Sequence, residues 1–301
     1  MTRHLLTILD LSREEIEHLL ARARELKALH YLGRNPTPLT GKTLAMIFDK
    51  PSTRTRVSFE AGIAQLGGAS IYLAPGQTQM SRNEPVADTA RVLSRYVDGV
   101  VVRTFAQETV AELARHSTIP VINGLTDTHH PCQVLSDLMT MEERFGDLTG
   151  LKVAWVGDGN NMANSWVTAA MHLDFALHLA CPPGYEPDAC LLTQAKQQGA
   201  RVYMGQDPLV AVAGAQVVNT DVWASMGQEE EAAVRLQAFQ PYQVNSQLMK
   251  NAPGAIVLHC LPAHRGEEIT AEVLDGPQSA AWDQAENRLH FQKALLEWLL
   301  G

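Results

Sequence analysis

The chain has 301 residues, 46% hydrophobic and 19% charged, which suits one large or two ordinary domains with real cores and excludes a disordered chain. Its formal net charge of −9, with no basic block, argues against nucleic-acid and anionic-membrane partners. No apolar run reaches the roughly 18–20 residues that span a bilayer. Cys132, Cys181, Cys190 and Cys260 lie far apart with no CxxC pair, so neither a disulfide framework nor a zinc ribbon is expected. Met1-Thr-Arg-His leads into a capped helix without the pattern of a signal peptide, and the expectation is a soluble, cytoplasmic protein.

Leu11-Ser12-Arg-Glu-Glu15-Ile16 reads as a capping box with a hydrophobic staple, opening a helix through Leu19, Leu20, Ala23 and Leu26 that ends before Gly33 and Pro36. Gly41–Phe48 is short, apolar and bounded by turn residues, as a buried strand would be. Asp49-Lys-Pro-Ser-Thr-Arg-Thr-Arg-Val-Ser-Phe-Glu60 then carries the chain into a helix marked by Val57, Gly62, Ile63 and Leu66 and stopped at Gly67-Gly68. Hydroxyls and guanidiniums thus gather where a strand ends and a helix begins. Unpaired N–H groups and the positive end of the helix dipole favour an anion there. Ser52, Thr53 and Thr55 add neutral donors, and Arg54 and Arg56 offer planar forks suited to phosphate.

Ala69–Leu73 reads as the next strand, followed by the polar loop Pro75–Glu84 and a helix through Val86, Ala90, Leu93 and Val97. Asp98-Gly-Val-Val-Val-Arg103 is a strand with an arginine at its carboxyl end. A helix from Val110 to His116 leads to the strand Ile119–Asn123, and a loop delivers His129-His130-Pro-Cys-Gln133 to a helix through Val134, Leu138 and Met141. The alternation predicts a parallel sheet wrapped by helices, with ligands outside the carboxyl ends of the strands. The 52–56 turn, Arg103 and His130 with Gln133 each follow a different strand, so they fall on that one edge.

A domain boundary is expected in the turn Phe145–Gly150, giving domains of 1–149 and 150–282 with a C-terminal helix over 283–301. Leu151–Val156 is a strand entering Gly157-Asp-Gly159, and Asn160-Asn161 opens a helix. The turn is not read as a dinucleotide fingerprint: Asn161 and Met162 follow Gly159 where a third glycine would be needed, and no acidic residue ends the next strand, Ala176–Cys181. Strands Arg201–Met204 and Ala215–Asn219 follow, the second running into Thr220-Asp221-Val-Trp-Ala-Ser225-Met226-Gly227. Ala255–Leu258 runs into His259-Cys260-Leu261-Pro262-Ala-His-Arg-Gly266, and residues 283–300 form an amphipathic helix carrying Arg288. The fold class is therefore α/β: two doubly wound, Rossmann-like domains with parallel sheets.

Ser-Thr-Arg-Thr-Arg with Ser-Phe-Glu after a strand, Val-x-Arg-Thr at 101–104 and His-Pro-x-Gln at 130–133 resemble the aspartate/ornithine carbamoyltransferase family in order and spacing. Asp-Val-Trp-x-Ser-Met-Gly and His-Cys-Leu-Pro-x-His-Arg-Gly look like the amino-acid-binding signatures of its ornithine branch. The likeness spans nearly the whole chain; the clearest departure is Ser81, where many relatives have glycine.

The resemblance implies carbamoyl transfer from carbamoyl phosphate to the δ-amine of L-ornithine, giving citrulline and phosphate, a step of arginine biosynthesis, without metal or other cofactor. It assigns the phosphate to Ser52, Thr53, Arg54 and Thr55. Arg103, His130 and Thr55 would stabilise the carbamoyl oxygen, Gln133 would orient the carbamoyl NH₂, and Gln79, Cys260, Leu261 and Arg288 would complete the donor's surroundings. Arg54, Arg103, His130 and Cys260 are the catalytic set. Cys260 with the Leu261 carbonyl would position the δ-nitrogen, Asp221 the α-ammonium, and Asn161, Ser225 and Met226 the rest of the acceptor. The family builds its site between subunits, so a homotrimer is expected, with the C-terminal helix packed back on the first domain and closure of the two domains over two ligands. Aspartate, putrescine and N-acetylornithine are the alternative acceptors, and a non-catalytic protein on the same fold is the alternative outside the class.

Overall fold

The structure, a computed structural model, describes residues 2–74, 76, 84–224 and 231–301. Helix α1 (Arg13–Tyr31) begins on the expected capping box: Ser12 Oγ accepts the Glu15 N–H at 3.2 Å and Glu15 Oε2 accepts the Ser12 N–H at 2.9 Å. Then come β1 (Thr43–Phe48), α2 (Thr53–Gln65), β2 (Ala69–Leu73), α3 (Val86–Leu93), β3 (Gly99–Arg103), α4 (Gln107–His116), β4 (Val121–Leu125) and α5 (Pro131–Phe145). The chain continues through β5 (Lys152–Val156), α6 (Asn161–Ala170), β6 (Ala176–Ala180), α7 (Ala189–Gln197), β7 (Val202–Gly205), α8 (Pro208–Val212) and β8 (Val217–Thr220). Helices α9 (Ala232–Phe239) and α10 (Ser246–Met249), strand β9 (Ile256–His259), and helices α11 (Ala271–Leu274) and α12 (Ala281–Leu300) complete it.

Two differences from the sequence reading have local causes. β4 starts at Val121 rather than Ile119, because Pro120 has no N–H to give a ladder. α3 stops at Leu93 rather than running to Val97: Ser94 caps it, donating its hydroxyl to the Ala90 carbonyl at 2.7 Å.

Two compact units result, Met1–Met139 with Glu286–Gly301, and Thr140–Ala285, so the division falls inside α5 and inside α12. In the first, a parallel sheet has the order β2-β1-β3-β4. Ala45 and Ile47 of β1 and Val100 and Val102 of β3 face Ala90 of α3 and Val110 and Leu113 of α4. Leu44, Met46 and Phe48 are buried as well, so the strand is covered on both faces, as a doubly wound sheet requires. α12 packs onto this unit: a Cβ on Gly62 would lie 3.5 Å from Lys293 Cγ, and one on Gly99 only 2.7 Å from Leu300 Cδ2.

The second unit has a parallel sheet ordered β7-β6-β5-β8-β9 over a core including Val156, Val212, Val218, Val257 and Leu274. Strand order reverses between β1 and β3 in one sheet and between β5 and β8 in the other, which are the switch points where such sheets open a crevice at their carboxyl ends. No described helix is long and apolar enough to cross a membrane.

Candidate active site

At the carboxyl edge of the first sheet, Ser52 is the N-cap of α2, and its Oγ accepts the Thr55 N–H at 3.2 Å. No acidic residue stands in the helix's first turn. Half-buried Arg54 makes no ion pair with any described residue, and Thr53 is exposed at the first helical position. Arg56 is turned away: it pairs with Glu60 at 3.0 Å, and its guanidinium lies 3.8 Å from the centroid of the Tyr72 ring. The expected second fork is thus committed elsewhere, because residues two apart on a helix face different ways.

Thr55 is fully buried, and here the C-terminal helix enters. Arg288 donates through Nη2 to Thr55 Oγ1 at 2.8 Å and through Nη1 to Gln133 Oε1 at 2.7 Å. Gln133 in turn gives its amide N–H to Asp137 at 2.8 Å. Arg288, which the family resemblance assigned to the donor's surroundings, is 3% exposed. Beside this bridge His130 is buried; burial first, then the Arg288 and Arg103 guanidiniums, hold its pKa well below 6.5. The ring is therefore neutral at pH 7 and can donate a hydrogen bond without adding charge.

Arg103 ends β3 at an irregularity in the ladder. Val102 pairs with Asn123 but Arg103 pairs with Leu125, so Gly124 is left over as a bulge, a device that re-aims the adjoining side chain. A Cβ on Gly124 would come within 3.1 Å of Val101 Cγ1 and 3.2 Å of the Val102 carbonyl. Asp49 and Lys50, which sequence reasoning passed over, tie the loop ends together. Asp49 N–H donates to the Arg103 carbonyl at 2.8 Å and its carboxylate accepts from Thr104 Oγ1 at 2.7 Å. Lys50 is buried, pairs with Asp127 and lies 4.4 Å from the Phe105 ring centroid.

In the second unit the polar groups again follow strands. The glycine turn after β5 is filled by the chain itself: Gly159 N–H donates to the Tyr185 carbonyl at 2.8 Å, and a Cβ there would lie 2.2 Å from backbone atoms of Glu186 and Pro187. Asn160 caps α6, accepting from Met162 and Ala163 N–H, and donates its amide to Asp221 Oδ2 at 2.9 Å. Asn161 sits half-buried as the first residue of α6. Cys260 Sγ donates to Asp221 Oδ1 at 3.0 Å, which also takes the Val222 N–H at 2.8 Å. Leu261 follows with φ 58, a left-handed conformation that costs a branched residue about 1–2 kcal/mol, and a cis bond to Pro262.

Asp158 and Arg235 form a buried pair beneath this edge; Arg235 also donates to the Trp223 carbonyl at 2.6 Å. Burial pushes the Asp158 carboxyl up to about 6 against the pull of Arg235. The ligand-type atoms of Asp221, His259 and Cys260 lie within 4.8 Å of one another, as do those of His264, Glu267 and Glu268. A cation in the first cluster would have to displace a bond on His259, whose two ring nitrogens already face Leu261 N–H and Glu268. Gln79, Ser225 and Met226 lie outside the described residues.

A family model described as "Aspartate/ornithine carbamoyltransferase, carbamoyl-P binding domain" matches residues 3–143, and its companion, "Asp/Orn binding domain", matches 149–299. The chain belongs to the aspartate/ornithine carbamoyltransferase family. An ornithine carbamoyltransferase of Desulfotalea psychrophila is 58% identical over 303 residues, covering 100% of both chains, and an anabolic one of Pseudomonas aeruginosa is 56% identical, covering 99% and 97%. Among solved structures, the ornithine carbamoyltransferase from Pyrococcus furiosus superposes with a TM-score of 0.96 at 50% identity, covering 99% of this chain and 97% of that one. The one from Thermus thermophilus gives 0.91 at 44% identity, with 100% of both covered.

For a carbamoyltransferase of this family, the structure thus joins Thr55, Gln133 and Arg288 directly in one unit and Asp221 and Cys260 in the other. Asp221 was expected to meet the acceptor's α-ammonium. It accepts a hydrogen bond from the Cys260 thiol, so the groups expected to meet the acceptor's two nitrogens lie side by side. A sequence signal for that pairing exists: both residues directly follow the neighbouring strands β8 and β9, in which Thr220 pairs with His259.

Proposed function

We infer that this protein transfers the carbamoyl group of carbamoyl phosphate to the δ-amine of L-ornithine, forming L-citrulline and phosphate and releasing one proton. The relatives carry that activity by name, and the Asp221–Cys260 contact carries it for this chain: a carboxylate and a thiol side by side suit an incoming amine. The side-chain carboxylate of aspartate would meet like charge there.

In the proposed reaction the donor's phosphate binds at the start of α2, where the helix dipole, Ser52, Thr53 and Arg54 converge. Thr55 Oγ1 accepts from Arg288, so its own O–H points as a donor to the phosphate or the carbamoyl oxygen. Charge grows on that oxygen as the amine attacks. Arg103 and neutral His130 answer it, and a donor of this kind is worth about 10²–10³ in rate. Gln133 Oε1 keeps one lone pair beside its Arg288 bond for the carbamoyl NH₂.

On the acceptor side, Cys260 and the Leu261 carbonyl position the δ-nitrogen, Asp221 pairs with the α-ammonium, and Asn161, Ser225 and Met226 hold the rest of the amino-acid end. An alkyl ammonium has a pKa near 10.4, so about one molecule in 10³ or fewer is ready to attack at pH 7. The C–O bond to phosphate breaks as the C–N bond forms, and the departing phosphate takes the proton. As for assembly, a homotrimer is proposed; exposed Val57 on α2 and Ile71 on the edge strand β2 offer apolar surface for a neighbouring copy.

Phosphate release from carbamoyl phosphate, followed in parallel with ornithine, putrescine, N-acetylornithine and aspartate, tests the reaction. Release with ornithine alone, abolished in Arg54→Ala, is expected. Release with a different acceptor would overturn the roles of Asp221 and Cys260, and silence in every tube would leave a non-catalytic protein on this fold. Light scattering should give three times the 33.0 kDa chain mass, and a fully active monomer would end the trimer proposal.

A further inference from the structure

His259 and Glu268, both in the second unit, have no part in the chemistry above, yet their side chains are completely shielded from solvent and meet at 3.0 Å. Their geometry is tied to one feature of the site. Leu261 N–H donates to His259 Nδ1 at 2.9 Å. A backbone N–H can only donate, so Nδ1 is the unprotonated nitrogen and the ring proton sits on Nε2, pointing at Glu268 Oε1. The same carboxylate oxygen accepts the His264 N–H at 2.6 Å, so Glu268 gathers both ends of the 260–263 turn. The backbone N–H of His259 donates to the buried Gln284 Oε1 at 2.8 Å. The imidazole is thus fixed in position and tautomer by its neighbours, and the Leu261 amide is fixed by the imidazole.

Leu261 needs such a hold. At φ 58 a residue with a Cβ is in a conformation it seldom adopts unless its surroundings impose it. Release of its N–H would let the backbone relax towards negative φ, rotating the Leu261 carbonyl and carrying Cys260 away from Asp221. A buried histidine whose second nitrogen is oriented by a carboxylate is a recurrent way to fix the group that the first nitrogen holds.

We propose that His259, oriented by Glu268, is a positioning residue: it locks the Cys260–Leu261 turn so that the Leu261 carbonyl and the Cys260 thiol meet the δ-nitrogen of the acceptor. The proposal deepens the ornithine reading and rests on it. His259 touches neither substrate; it acts through the Leu261 amide.

The test is His259→Asn, which keeps an oxygen near the Nδ1 position but cannot reach Glu268, assayed with ornithine and, as inhibitor, L-norvaline. Norvaline keeps the α-amino acid end and the carbon chain but has no δ-nitrogen. Expected is a fall in kcat/KM for ornithine of about 30-fold or more, mostly in kcat, with norvaline inhibition within about threefold of the unsubstituted protein. A merely structural role would weaken norvaline together with ornithine, and that result overturns the proposal, as does an unchanged kcat/KM.

Should His259→Asn fail to fold, Glu268→Gln decides. It keeps an oxygen for both N–H donors but removes the charge that strengthens them, so a fall of about three- to tenfold for ornithine alone is expected. Equal loss for both ligands, or none, overturns the idea. If the unsubstituted protein released phosphate with putrescine rather than ornithine, the acceptor assignment would fall, and this proposal with it. That outcome is recognisable before any variant is made.

Discussion

Arg288 joins two acceptors that no single chain segment could bring together, Thr55 on α2 and Gln133 on α5, and it does so with the two ends of one planar fork. An ammonium is a point charge on a flexible stem and cannot hold both in that plane. Arg288→Lys should therefore raise the KM for carbamoyl phosphate about tenfold and lower stability by about 1–2 kcal/mol, read by steady-state kinetics and urea unfolding. Wild-type values on both measures would show the bridge to be idle. His130 calls for a different signature. Its pKa lies well below 6.5, so the ring has already lost its proton at neutral pH and changes no charge from roughly pH 6.5 to pH 9. His130→Asn should cost about 10²-fold in kcat yet leave the rise of rate towards pH 8–9 where it was, because that limb belongs to the acceptor amine. A limb displaced in the variant would mean that the imidazole itself was titrating.

The turn between β5 and α6 shows at the scale of an element why a glycine pattern is ambiguous. Gly159 is required because the backbone of Glu186 and Pro187 lies where its Cβ would be, and backbone cannot step aside as a flexible side chain can. Gly159→Ala should destabilise the protein by about 3 kcal/mol or more, against about 1 kcal/mol for Gly184→Ala, which has φ 85 but open space around it. Equal losses for the two in urea unfolding would contradict the close approach. The strands were legible from sequence because those that carry the site are buried apolar runs ended by polar turn residues. Helix α7 was not: Ala195 is its only buried residue, so it shows no apolar stripe to read. Short α8, α10 and α11 offer too few turns for periodicity to register. The residues that follow strand ends could be found in advance, because the topology sends them to one edge. Arg288 was placed near the donor by the family resemblance alone, and its hydrogen-bond partners, like the Asp221–Cys260 contact, are set by the return of α12 and the pairing of β8 with β9.

At the scale of the whole molecule, several histidines are held neutral, and stability should therefore fall in mild acid. His290 on α12 is the clearest: its ring is buried 5.6 Å from that of His30, with Glu286 at 3.4 Å and Lys27 and Lys293 nearby. Burial, only partly offset by Glu286, brings its pKa down to about 4 from 6.5. Between those two values the unfolded chain holds a proton that the folded one lacks, so stability rises with pH through the window and is lost as pH falls through it. One such group contributes a slope of up to about 1.4 kcal/mol per pH unit. His4, His172 and His178, also lowered mainly by burial, act in the same direction and steepen the curve. His290→Gln should accordingly reduce the pH dependence by about one proton without abolishing it, as measured by urea unfolding at intervals from roughly pH 4.5 to pH 7. If the slope stayed at its original steepness, the imidazole would be protonated in the folded state, and Glu286 rather than burial would govern its charge.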